Sequence, residues 1–126
     1  MRPIVLAVTA VSLLLAGCAS TRPPYSADLQ SKLGEVSKRV YVTSATERAL
    51  PDGTLKVAVF VDSETKFDQE VTYRVRWFDA SGMPINTTVS APVKRLLSKK
   101  SSFDFTAVAP GPKAKSYKID ILTEGE

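Results

Sequence analysis

Glu70-Val71-Thr72-Tyr73-Arg74-Val75-Arg76-Trp77-Phe78 is the stretch that decides the fold. Val71, Tyr73, Val75 and Trp77 fall on one side of a period-two pattern; Thr72, Arg74, Arg76 and Phe78 fall on the other. Strict alternation of this kind marks a strand with one buried face. Trp77 is the only tryptophan of the chain and supplies the large aromatic anchor that a small core needs.

The same period extends in both directions. Downstream, Asp79-Ala80-Ser81-Gly82 reads as a tight turn, and Met83 to Thr88 is expected to return as an antiparallel strand. Ala91 to Leu97 reads as a further strand, which Pro92 places near an edge or bulge. Ser101 to Val108 carries Phe103, Phe105 and Ala107 on one face, and Pro110-Gly111-Pro112 interrupts the chain. Tyr117, Ile119 and Ile121 form a last inward face, with Lys118 and Asp120 expected to face water.

Upstream, Leu55, Val57, Val59 and Val61 alternate over a strand, and Asp62 to Asp68 is a polar loop. Leu50-Pro51-Asp52-Gly53 is a turn in which proline presets φ and glycine is free to take positive φ. Val40-Tyr41-Val42 opens a first strand that fades at Ser44-Ala45-Thr46. About seven short strands without a crossover helix predict an all-β fold. An antiparallel, immunoglobulin-like two-sheet β-sandwich is the expected packing, with a small closed barrel as the alternative.

Before residue 39 the composition changes. Arg2 precedes an apolar run, Ile4 to Leu15, that ends in Leu15-Ala16-Gly17-Cys18. A basic start, an apolar middle and a small-residue end are the parts of an export signal. About twelve helical residues rise ~18 Å, well short of the ~30 Å hydrocarbon core, so a membrane-spanning helix is not expected. Leu15-Ala16-Gly17-Cys18 resembles a bacterial lipobox. The resemblance implies cleavage after Gly17, a diacylglyceryl thioether on Cys18 and acylation of the new amino terminus. Cys18 is the only cysteine, so no intramolecular disulfide competes for it. Two or more acyl chains hold a protein stably on a membrane. Ala19 stands where an aspartate would signal inner-membrane retention, which by the same resemblance implies the outer membrane, facing the periplasm.

The expected organisation is therefore a cleaved signal peptide over 1–17, a lipidated cysteine and flexible tether over 18–38, and a β-sandwich domain over 39–126. Ser20-Thr21-Arg22-Pro23-Pro24 begins the tether, and a weak helical pattern (Leu29, Leu33, Val36) is interrupted by Gly34. Some twenty flexible residues would reach on the order of 25 Å.

Charge and composition exclude several classes. The formal charge is +4, too modest for the dense basic stripe of a nucleic-acid binder, and no nucleic-acid partner is expected. The chain has no histidine, and its one thiol is committed to lipid, which removes the groups that serine, cysteine and zinc hydrolases lean on. Asp62, Glu64, Asp68 and Glu70 gather in one loop. They offer either paired carboxylates, a calcium loop without regular ligand spacing, or ordinary solvated charges. No enzyme, no metal site and no cofactor beyond the covalent lipid on Cys18 are expected.

Two groups of residues remain as interaction candidates. Arg74 and Arg76 lie on the outward face of the central strand beside Phe78, where a guanidinium pair can grip carboxylate or phosphate. Alternatively, both pair with acidic residues of neighbouring strands. Lys94 and Arg95, with Lys99 and Lys100, form a second basic region that serves either edge protection or contact with an anionic surface.

Tyr73-Arg74-Val75-Arg76-Trp77-Phe78-Asp79-Ala80-Ser81-Gly82, followed by Ala107-Val108-Ala109-Pro110 and Ala114, resembles the YcfL-like lipoproteins from about Val40 to Leu122. Ala91-Pro92-Val93 departs from that family, in which a bulky aromatic is expected near residue 92. The resemblance implies a Gram-negative β-sandwich lipoprotein of unsettled function. By association with lipoproteins that activate penicillin-binding proteins, it also implies a cell-envelope role. The expected function is a membrane-anchored, non-enzymatic accessory module that meets an envelope protein partner. The alternatives are a binding module for anionic glycan or lipid groups through Arg74 and Arg76, and an assembly lipoprotein of a secretion apparatus such as a type VI system.

Overall fold

The computed structural model describes residues 22–124. The signal segment and Cys18 lie outside the described residues, as do 125 and 126. The elements run α1 (Ala27–Lys32), β1 (Leu33–Val36), β2 (Val40–Ala49), β3 (Leu55–Ser63), β4 (Gln69–Phe78), β5 (Pro84–Ile85), a 3-10 turn (Thr88–Ser90), β6 (Val93–Leu97), β7 (Ser102–Val108) and β8 (Ser116–Thr123). One sheet has the order β1-β8-β4-β5, with β6 also paired to β4; the other has the order β2-β3-β7. The two pack as a sandwich, the expected architecture, with eight strands.

The alternating residues of the sequence fill the space between the sheets. Val57, Val59, Val61 and Val71 are fully buried, as are Trp77, Ile119 and Ile121. Burial of such side chains stabilises by roughly 1.5–3 kcal/mol each relative to exposure. Tyr73 of one sheet stacks on Phe105 of the other at 4.0 Å between ring centroids, and Trp77 lies 5.9 Å from Tyr117 on the neighbouring strand.

Four expectations are corrected. The 18–38 tether gives way to structure from Arg22 onward: α1 is capped by the Ser26 hydroxyl, which accepts from the Leu29 N–H at 3.2 Å, and β1 pairs parallel with β8. Leu33 is buried in the core, so this segment belongs to the domain. The first strand does not fade at Ser44 but continues to Ala49. A register shift between Val42 and Ser44 inverts the alternation there and hides the strand from a period-two reading. The return after Gly82 is only Pro84–Ile85, because the chain then leaves the edge of β4 and turns into Thr88–Ser90. Asp120 does not face water; it is 5% exposed.

Candidate functional site

The strand β4 is paired with β8 along almost its whole length, Val71↔Thr123 to Phe78↔Ser116. Its other edge is interrupted. β6 covers Gln69 to Tyr73 and β5 covers Trp77 and Phe78, which leaves Arg74, Val75 and Arg76 without a strand partner on that side. The segment between β5 and β6 loops around the gap, and a cleft of about 430 Å³ opens there against Arg74, Arg76, Trp77, Phe78, Thr87 and Ser90.

Arg74 and Arg76 share one carboxylate. Arg74 stands directly opposite Asp120 in register and donates from Nε to Oδ2 at 3.0 Å. Arg76 reaches it diagonally, with Nε to Oδ2 at 2.6 Å and Nη2 to Oδ1 at 3.0 Å. The Glu35 backbone N–H donates to Oδ1 at 3.0 Å, so each carboxylate oxygen accepts two hydrogen bonds. Burial alone would push the Asp120 carboxyl up. The Arg76 contacts, the Glu35 N–H and Arg74 outweigh it and hold the group below its ordinary value.

Pairing with an acidic neighbour is thus what both arginines do. The cluster still carries two cations against one anion, and the side chains of Arg74 and Arg76 remain 44% and 38% exposed. Arg76 also lies 5.9 Å from the Phe78 ring centroid. Trp77 and Ser90 are among the residues around the cleft; the Trp77 indole N–H, on the core side of β4, and the Ser90 hydroxyl are buried without a hydrogen-bond partner among the described residues.

The other candidates do not join this site as one unit. Lys94 lies opposite Thr72, on the same outward face as Arg74, and its ammonium is 3.9 Å from Glu70. Arg95 points to the opposite side of β6, where it sits over Phe103 at 5.0 Å and donates to the Asp104 carbonyl at 3.4 Å. β6 is an edge strand, so edge protection suits both. The acidic loop is dispersed among separate donors. Asp62 and Glu64 both bind Arg22 at 2.8 Å, and Asp68 accepts the Lys99 N–H at 2.9 Å. Among the described residues, no group of three or more His, Cys, Asp or Glu is placed to hold a metal, and no helix is long and apolar enough to cross a membrane.

Asp120 and Gly34 are the site residues that sequence reading passes over. A Cβ on Gly34 would collide with Oδ1 of Asp120 and Nη2 of Arg76, so only glycine lets β1 lie across the cluster. An acid one strand away from an Arg-x-Arg pair was the one available signal, and it needed the β4–β8 register to be read.

The fold and the family agree. Residues 29–123 match the family described as "Protein of unknown function (DUF1425)", and the chain belongs to that family. Among solved structures it is similar to a DUF1425 family member from Shewanella sp. pv-4, with a TM-score of 0.57 and 22% identity over 69% of this chain and 78% of that one. It is also similar to Cj0090 of Campylobacter jejuni, with a TM-score of 0.56 and 16% identity over 69% of this chain and 93% of that one. At these identities the likeness is one of fold. No curated protein matches the chain.

Proposed function

We propose that the protein is a lipid-anchored, non-enzymatic interaction module of the bacterial cell envelope. Cys18 carries the anchor, the periplasmic face of the outer membrane is its place, and the outward face of the β4–β8 sheet meets a partner protein. The observation that carries this reading is the make-up of that face. Leu122, 44% exposed and opposite Thr72, lies beside the half-exposed Arg74 of the Asp120 cluster, and Leu96, 70% exposed, extends the same face further along β4, opposite Glu70. Exposed aliphatic side chains beside a well-ordered guanidinium pair suit protein recognition, where Arg is enriched and apolar contacts supply the area. The lipobox and the YcfL-like resemblance support the envelope setting. Confinement at a membrane raises effective concentration, so modest intrinsic affinity suffices.

The test is a photo-crosslinking residue placed at Leu122 in intact cells, beside a Cys18→Ala control. A specific protein adduct that disappears in the control supports the reading. Adducts identical in both strains, or none to protein, would overturn it.

A second reading rests on the cleft where β4 lacks a strand partner, lined by the half-exposed Arg74 and Arg76 together with Thr87 and Ser90. There the cluster, with its one surplus positive charge, binds a carboxylate or phosphate group of glycan or lipid. Such binding would be salt-sensitive and abolished by Arg76→Glu; unchanged binding in that variant rules the site out.

A further inference from the structure

We propose that one pole of the sandwich, formed by the start of β2, the β3–β4 loop and the β6–β7 turn, seats directly on an anionic phospholipid surface. This rests on the reading that Cys18 is lipidated.

Arg22 holds the start of the described chain against the domain. Its guanidinium is forked between Asp62 and Glu64, each at 2.8 Å, and lies over the Tyr41 ring at 4.9 Å. Tyr25 stacks on Tyr41 at 4.9 Å and accepts the Val42 N–H at 3.1 Å, while the Tyr41 hydroxyl donates to the Pro23 carbonyl at 3.0 Å. The chain is therefore strapped to the domain from Arg22 onward. Whatever path residues 19–21 take, four residues span at most ~14 Å. The acyl anchor must lie within that distance of Arg22, not at the end of a long tether.

The strap ends at a defined pole. Val40 pairs with Ser63, Asp62 with Ser102, and Gln69 with Leu97, so these strand ends lie together. The Lys100 N–H donates to the Thr65 carbonyl and the Glu64 N–H to the Arg39 carbonyl, which ties the loops into one surface. From it project Lys38, Lys66, Lys99 and Lys100, all exposed and without an ion-pair partner among the described residues. Phe67 stands among them, 52% exposed, with the Arg39 guanidinium 5.6 Å from its ring centroid. The acids of this pole are mostly engaged: Asp62 and Glu64 by Arg22, Asp68 by the Lys99 N–H; Glu124 is exposed.

Exposed lysines around an aromatic side chain match the interface of an anionic leaflet, where cations meet headgroups and an aromatic ring sits at their level. Electrostatic attraction falls off over ~8–10 Å at physiological salt, so it acts only on a domain held close. The strap provides that closeness. It also points the distal part of β4, with Arg76 and Phe78, away from the lipid.

The test uses the full-length acylated protein in vesicles of phosphatidylcholine with or without phosphatidylglycerol, its Cys18 acylation verified by intact mass. Phe67→Trp introduces a reporter, and the buried Trp77 of the unsubstituted protein is the reference. Lipids brominated near the headgroup are expected to quench the residue-67 reporter in the anionic vesicles and to leave Trp77 bright. Each Lys→Gln at 66, 99 or 100 is expected to lower the seated-to-lifted ratio about fivefold. A reporter no more quenched than Trp77 overturns the proposal while leaving the anchor standing. Equal quenching on phosphatidylcholine alone overturns the anionic-headgroup assignment. Shielding from aqueous acrylamide without lipid quenching means that a second copy of the chain covers the pole and likewise overturns it. An unacylated Cys18 overturns the anchoring reading and this one with it.

Discussion

Gly34 passes over the carboxylate of Asp120 with no room for a Cβ between them. The two residues sit on β1 and β8, which run parallel, and the Glu35 N–H closes the contact. The consequence is that an N-terminal segment of weak intrinsic preference is fixed to the sheet by a buried charge. Gly34→Ala is expected to push β1 off the cluster at a cost of about 1–3 kcal/mol. Chemical denaturation of the variant measures it, and faster amide exchange at Glu35 locates it.

Asp120→Asn keeps the shape but removes the charge that two arginines face. The loss expected is about 1–3 kcal/mol, the range for an interrupted charged hydrogen-bond set. The pH dependence carries a definite sign. The Asp120 carboxyl lies below its ordinary value in the folded protein, so its contribution is complete above the unfolded value near ~3.9. It is lost as pH falls through the lower, folded value. Wild-type stability should therefore drop more steeply than that of Asp120→Asn below about pH 4. Parallel curves would sink the assignment. Arg76→Met combined with Asp120→Asn should cost less than the two changes summed, because they remove the same contact.

The core was legible because alternation and burial coincide at Val57, Val59 and Val61, at Val71 and Trp77, and at Ile119 and Ile121. What escaped had a physical reason in each case. The second half of β2 lies beyond a bulge that inverts the period. β1 is four residues long and gains its place only from Leu33 in the core and from the Asp120 cluster, contacts about 85 residues apart in sequence. Arg74 and Arg76 were legible as candidates, but their shared partner was not. Alternation says that Asp120 points outward; it does not say that two guanidinium groups and a crossing strand cover it. The Arg22 strap was invisible for the same reason, since Pro23 and Pro24 read as linker until Tyr25 and Tyr41 are seen to stack.

Tyr25→Phe tests the strap. The variant keeps the ring on Tyr41 but removes the oxygen that accepts the Val42 N–H. A destabilisation of about 0.5–1.5 kcal/mol is expected. Amide exchange at Val42 should accelerate while that of Val59, deep in the same sheet, stays unchanged. Uniform acceleration would mean that the strap has no local role.

Lys100 is the one non-glycine residue with positive φ among the described residues, at 50°. An L-residue with a Cβ is strained there, and glycine is not, although glycine costs more entropy on folding. Lys100→Gly should therefore be stability-neutral or gain up to about 1 kcal/mol, read from the denaturation midpoint. That makes it the cleanest probe of the pole proposed to face lipid, because it is expected to remove a cation without weakening the domain. If Lys100→Gly is as stable as wild type and its residue-67 reporter is quenched less on anionic vesicles, the lysine is kept in a strained conformation for its charge. If quenching is unchanged, Lys100 contributes nothing to lipid contact, and the strain at this turn has another origin.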